Sequence, residues 1–433
     1  MAESSLLQTG DNLHRLMREL FPICRSITGE GLRRTLRSLQ TFIPLEIHET
    51  PSGTDVFDWT IPDEWNIREA WIKNRAGERV IDFANHSLHI VNYSVPIHRR
   101  MTLSELRPHL FSFPDRPDLI PYRTAYYKPH WGFCVAHREL ANWPDGEYEV
   151  FIDSSLAPGS LSYGELYLPG KRSDEVLFTA HVCHPSLAND NLSGVVVATA
   201  LAKHLLNQPE REYSYRFLFA PGTIGSITWL ARNEAHVDRI QHGLVIALVG
   251  GKGEFHYKRS RRGNAAIDRI VETVLRTSGR PYQVRDFSPY GYDERQFCSP
   301  GFNLPVGSLT RTPHGEFPEY HTSGDNLDFV SPASLDDSLA LYREIVRVIE
   351  TNRTYLNLNP KCEPRLGKRG LYQSLGGTAN AGQVELALLW VLNFADGKHS
   401  LLDIAERSGH SFSTIVDAAV LLRDHGLLSE VSA

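Results

Sequence analysis

The chain has 433 residues, 41% of them hydrophobic and 22% charged, with a formal net charge of −6. That length calls for two or three domains of an ordinary globular protein, and an acidic balance without a long basic run excludes an electrostatic footprint for nucleic acid or for an anionic membrane. No apolar run of about 18 residues is present to span a bilayer, and Met1-Ala-Glu-Ser-Ser carries neither the basic nor the apolar region of a signal peptide. Cys24, Cys134, Cys183, Cys298 and Cys362 are odd in number and far apart. They form neither a disulfide framework nor a Cys-x-x-Cys zinc site, and reduced thiols in a cytoplasmic protein are expected.

Residues 11–42 predict two helices, with Leu13, Leu16, Met17 and Leu20, then Leu32, Leu36 and Leu39, at helical spacing. From residue 51 the texture changes to Trp, Tyr, Pro and short β-like runs such as Val56–Trp59, Leu88–Tyr93 and Glu147–Ile152. A mostly-β domain over 51–164 is expected, inserted into an α/β domain made of 1–50 and 165–351. In the latter, strands are expected at Leu177–Ala180, Tyr215–Phe219, Leu244–Val249 and Leu304–Leu309. They alternate with helices at Val195–Leu206, Ile224–Asn233, Asn264–Leu275 and Leu335–Ile349. Such alternation implies a mostly parallel sheet flanked by helices. Residues 352–383 read as a linker, and 384–433 as a small helical, winged-helix-like module. Seven acids against three bases in that module disfavour DNA and point to a protein contact or self-association.

Two stretches carry candidate chemistry: His181-Val-Cys-His184-Pro-Ser-Leu-Ala-Asn-Asp190-Asn-Leu-Ser-Gly194 and Glu319-Tyr-His321-Thr-Ser-Gly-Asp325. The first lies between an apolar strand and an apolar helix, where open α/β sheets hold ligands. Neutral imidazoles and ionised carboxylates suit a zinc site with an open position. The candidate metal ligands are His181 or His184, Asp190, Asp293 and His321, each in a loop near a strand end.

The order of these motifs resembles the zinc aminopeptidases of the M28 type. By position, the resemblance implies Asp190 as the bridging ligand within Asp-Asn-x-Ser-Gly, His181 (or His184) before it, and Asp293 and His321 after it. The whole chain is similar to a bacterial group of aminopeptidase-like proteins of unassigned function, which combine an inserted β domain with a C-terminal winged helix. One departure stands out. The peptidases carry a Glu-Glu pair, general base and second-metal ligand, where this chain reads Gly222-Thr223. One zinc ion rather than two is therefore expected, with Glu294 as the substitute base, then Glu319 and Glu316. Tyr320 and Tyr292 are candidate oxyanion donors, Arg295 and Arg311 candidate carboxylate clamps with Glu319 beside them, and Asp325 a candidate partner for His321. The run Lys258–Arg262 reads as a solvated loop or helix start. The function expected is amide or peptide hydrolysis on a small peptide or amino-acyl substrate. The alternatives are a non-hydrolytic metal-binding protein and a biosynthetic enzyme of a carbohydrate or natural-product pathway.

Overall fold

The computed structural model describes residues 7–371 and 381–431. The residues read for a leader, the stretch 372–380 of the expected linker and the last two residues lie outside the described residues. The chain divides into two compact units. One comprises the residues up to Ile267 together with Pro281–Ala340; the other joins Asp268–Arg280 to the residues from Leu341 onward.

The first unit is built on an eight-stranded mixed sheet. Its strand order is Glu46–Pro51, Ser160–Leu168, Ser214–Ala220, Glu175–His181, Ile240–Ile246, Val306–Thr310, Phe255–Lys258, Tyr282–Arg285. Glu175–His181 is buried at every residue and has parallel partners on both sides. That explains its uninterrupted apolar sequence, since a central parallel strand has no solvent face. The following helix, Gly194–Leu206, is buried from Gly194 through Ala202, as an all-round apolar helix must be. Gly194 permits this seating. A Cβ there would stand 2.2 Å from the Ile246 carbonyl oxygen, so any side chain would push the helix start off the sheet.

A separate antiparallel sheet, Arg79–Asp82, Glu64–Lys73, Glu147–Ala157 and Ile97–Thr102, interrupts this fold. Glu147–Ala157 alternates between buried and more exposed residues along most of its length, the period of a half-buried strand. The next strand, Ser160–Leu168, already belongs to the central sheet, so the chain returns to it before residue 165. Between Thr102 and Glu147 the insertion is largely irregular. Its residues Ile120–Tyr122 run beside the His321 loop, with the Tyr122 amide donating to the His321 carbonyl at 2.8 Å.

In the second unit the helices Ala381–Phe394, Leu401–Ser408 and Phe412–Asp424 stand with a three-stranded sheet of order Asp396–Ser400, Thr354–Asn357, Leu428–Glu430. Thr354–Asn357 falls where the sequence reads as linker; as the middle strand of this sheet it is part of the module. Arg269 pairs with Asp403 and Glu406, tying the helix Ala266–Thr277 to the module. Ser400 opens the helix Leu401–Ser408 with a reciprocal cap to Asp403, and Gly409 closes it at φ 73°. No helix among the described residues is long and apolar enough to cross a membrane.

Candidate metal centre

The strand Glu175–His181 delivers His181 at its carboxyl end, and the loop to Gly194 folds back over that end. Each polar residue of the Asp-Asn-x-Ser-Gly motif has a partner there. Asn191 donates to the carbonyls of His181 (3.3 Å) and Ile246 (3.2 Å) and accepts from the Leu248 amide. It thereby stitches two parallel strand ends together. Ser193 donates to the Asn189 carbonyl at 2.7 Å. Asn189 accepts from the amides of Gly250 and Gly251 and donates to Thr312. Asp325 accepts from the amides of Asn189 (2.6 Å) and Asp190 (2.9 Å). Its role is thus to hold the Asp190 loop, and its carboxylate is committed there rather than to His321. Burial, reinforced by the Asp190 charge and opposed by these amides, pushes its carboxyl up to about 8.

Asp190 is 1% exposed and is the hub of the centre. Its Oδ1 lies 2.8 Å from His181 Nε2. Its Oδ2 lies 3.0 Å from His321 Nε2 and 3.9 Å from His184 Nε2. One ligand atom each from His181, His184 and Asp190 fall within 4.8 Å of one another. Burial works against ionisation of Asp190, but the surrounding imidazoles outweigh it and hold the carboxyl well below the usual range. Burial pushes the His184 imidazole well below its ordinary value, which keeps it neutral. Three imidazoles around a carboxylate without a thiolate are a donor set that suits Zn²⁺. The structure brings both candidate histidines of the first motif near Asp190. His321 reaches it in a left-handed conformation, φ 53°, a strained backbone of the kind held in place at functional sites.

Asp293, the remaining candidate ligand, has no hydrogen bond to Asp190 or its imidazoles among the described residues. Its Oδ1 accepts from Ser226 at 2.6 Å, its Oδ2 is buried without a partner, and burial, opposed by His181, pushes its carboxyl up to about 6. Glu294 is buried and bound by Lys258, whose ammonium also donates to the carbonyls of Ser288 and Tyr290. The Tyr292 amide donates to the same carboxylate at 3.2 Å. Burial opposes ionisation of Glu294, yet Lys258 holds it below the usual carboxylate range. The run starting at Lys258 is therefore not simply a solvated loop: Lys258 is an interior counter-ion. Arg295 reaches only the Pro289 carbonyl, and Arg311 pairs with Asp337 at 2.7 Å over the ring of Phe255. Glu316 is engaged by Arg285, and Glu319 packs beside Gly324 in the His321 loop. Tyr320 stacks on His321, ring centres 4.0 Å apart, and its phenol is raised by burial.

The place of the expected Glu-Glu pair is filled. A Cβ on Gly222 would stand 1.9 Å from Tyr292 Cε1, and the Tyr292 hydroxyl donates to the Gly222 carbonyl at 3.1 Å. The ring of Tyr292 also lies 4.2 Å from that of His181. Tyr292 thus spends its hydroxyl on closing the site where a glutamate would stand.

Three residues near the centre were not singled out from sequence. Arg25, 1% exposed, donates Nε to the His184 carbonyl and Nη1 to the Leu20 carbonyl, while Nη2 has no partner. Tyr122, from the insertion, packs against the rings of His184 and His321, 5.1 Å from each. His314 lies 6.5 Å from His181, ring centre to ring centre, with Nε2 unpartnered. Burial pushes its imidazole down to about 4. The signal for His314 was its place between two proposed site segments, in Arg311-Thr-Pro-His314. Arg25 and Tyr122 carried no local signal.

The fold is that of the zinc aminopeptidases. The chain superposes on the zinc aminopeptidase BSAP of Bacillus subtilis with a TM-score of 0.55 at 13% identity, covering 79% of this chain and 95% of that one. It superposes on an M28 peptidase precursor of Shewanella amazonensis with a TM-score of 0.53 at 15% identity, covering 80% and 95%. Residues 14–352 match the family described as "Domain of unknown function (DUF4910)", and 353–430 match a winged helix-turn-helix family. The chain belongs to that first family. A Clostridium acetobutylicum protein, provisionally named for polysaccharide biosynthesis with an aminopeptidase-like domain, is 55% identical over 412 residues, 95% of this chain and 94% of its own length. A crystal structure from the same organism, provisionally called a peptidase, is 53% identical with a TM-score of 0.93, covering 98% and 96%.

Proposed function

We propose that this chain is a zinc-dependent amide hydrolase of aminopeptidase type, acting on a small substrate in polysaccharide biosynthesis. The observation that carries this reading is the buried Asp190 carboxylate facing three imidazoles, with no lysine or arginine ion pair among the described residues. Asp190, His181, His184 and His321 would hold a single ion. Bound zinc would supply Lewis acidity toward an amide carbonyl. The chain's own contributions follow from its packing. Asp325 fixes the Asp190 loop, and Arg25 fixes the His184 backbone. Tyr122 packs against the rings of His184 and His321 and Tyr320 stacks on His321, and the protonated Tyr320 phenol would donate to the carbonyl oxygen as charge develops. Glu294 is ionised, as a proton acceptor must be, but Lys258 weakens it as a base. The Clostridium relative's name supports the biosynthetic setting. For the winged-helix module we propose protein contact or self-association, supported by exposed Leu356, Leu358 and Val431.

The filled place at Gly222 favours a second reading, in which the centre binds metal without hydrolysing. Zinc content of the purified full chain, with a screen of aminoacyl amides and N-acyl amino sugars, separates the two. Stoichiometric zinc with turnover that vanishes in Asp190→Asn is the expected result. Zinc without turnover on either class selects the second reading, and a chain that takes up no zinc overturns both.

A further inference from the structure

Beside the metal centre lies a second concavity, about 510 Å³ counting its open mouth, which the proposed chemistry leaves unused. Its floor comes from the edge strands of the central sheet: His256 and Lys258 on one, Arg285 on the next, Ser308 and Thr310 on a third. Glu294 and His314 close the side toward His181. Pro313 is its only aliphatic lining residue.

The charges in this pocket cancel within it. Lys258 is bound to Glu294, Arg285 to Glu316, and Asp286 to Arg259 just outside. A ligand ammonium would find no unpaired acid, and a ligand carboxylate or phosphate no unpaired cation. Hydroxyls and imidazoles remain: Ser288, Ser308 and Thr310, with His256 and His314, each of which keeps a buried ring nitrogen without a partner. Tyr290 lines the same pocket and is 65% exposed, an aromatic face that no residue of the described chain covers well.

We infer that this pocket binds a neutral, polyhydroxylated ring, the sugar unit of an amide-bearing carbohydrate, with Tyr290 beneath its C–H face. The inference rests on the amide chemistry proposed above and names its substrate class. A sugar hydroxyl both donates and accepts, so it suits a wall of hydroxyls, neutral imidazoles and pre-paired ions better than any peptide terminus does. An aromatic platform contributes dispersion and packing to the opposite face. The orientation follows from the boundary at His314: the ring occupies the pocket and its amide substituent points toward the Asp190 centre.

The test is calorimetric binding to the full, zinc-loaded chain of three probes: methyl N-acetylglucosaminide (neutral), N-acetylglucosamine 6-phosphate (anionic) and the dipeptide Leu-Gly. The neutral glycoside should bind tightest. Tyr290→Ala, which removes only an exposed side chain, should weaken it on the order of tenfold, with Ser308→Val as a second lining variant and zinc content unchanged in both. Preferential binding of the dipeptide or the phosphate overturns the inference, as does glycoside binding indifferent to both variants. A chain that binds the glycoside but holds no zinc would sink the hydrolase reading and leave the pocket standing. Zinc bound without any glycoside binding would do the reverse.

Discussion

Two buried carboxylates, Asp190 and Glu294, sit in the same unit under opposite arrangements. Asp190 is met by three imidazoles and, among the described residues, forms no ion pair with lysine or arginine. Glu294 is met by the ammonium of Lys258. A buried charge must be compensated, or the group gives up its charge. Glu294 has that compensation permanently. Asp190 has groups whose lone pairs could themselves serve as metal donors, so under the proposed function a divalent cation would complete the arrangement there and would be superfluous at Glu294. Asp293 is an intermediate case: with one oxygen unpartnered, burial outweighs His181, Ser226 and Arg295 and pushes its carboxyl up to about 6.

Removing each negative charge in turn should break this comparison most sharply. Asp190→Asn should lower zinc affinity on the order of 10²-fold or more, since even loss of an outer partner costs 10–100-fold. Glu294→Gln should retain zinc but strand the Lys258 ammonium, costing about 3 kcal/mol in denaturant unfolding. Replacing both Lys258 and Glu294 by uncharged residues should recover much of that loss. Zinc loss in Glu294→Gln would show that Glu294 belongs to the centre.

A smaller effect is expected at Gly222. Gly222→Glu would seem to restore a peptidase glutamate, yet its Cβ meets the Tyr292 ring. That variant should lose stability by about 1–3 kcal/mol through overpacking and gain no aminopeptidase activity. The same change in a Tyr292→Ala background should be tolerated better, and equal cost in both backgrounds would refute the steric account.

The smallest effect sharpens the role of a buried imidazole outside the Asp190 group. His242 is buried with Nδ1 unpartnered, and burial pushes it down to about 4. Between about pH 6.5 and pH 4 the unfolded chain would carry a proton that the folded chain does not. Its contribution is therefore complete above pH 6.5 and shrinks as pH falls toward 4, by about 3 kcal/mol at most. His242→Gln should flatten that part of the stability profile; an unchanged slope would show that His242 does not titrate there.

Much of the Asp190 cluster was readable because its motif is local. His181, His184 and Asp190 lie on one strand end and the loop after it, and the apolar runs around them could only be a buried strand and helix. What escaped reading depends on pairing across the sheet. Lys258 reads as part of a basic surface run until Tyr257 and its neighbours pair with Val306–Thr310 and carry it to Glu294. Asp325 lies near His321 in sequence, but the turn directs its carboxylate to the Asn189 and Asp190 amides. Thr354–Asn357 reads as linker because a four-residue strand carries too little periodicity to be seen, and only its two antiparallel partners define it.

The strand-like pairing of Ile120–Tyr122 with the His321 loop has a consequence for how the protein is made. His321 is held from the insertion, through the Tyr122 amide on its carbonyl and the Ser323 amide on the Ile120 carbonyl. Those partners are separated by a large loop of chain, and contacts of such separation form late, after their closure entropy has been met. During synthesis, the segment carrying His181 and Asp190 emerges well before the one carrying His321. The nascent chain therefore passes through a period with an incomplete ligand set, and cation capture should belong to the last stage of maturation. Refolding followed by a fluorescent zinc indicator should show uptake no earlier than the slowest folding phase.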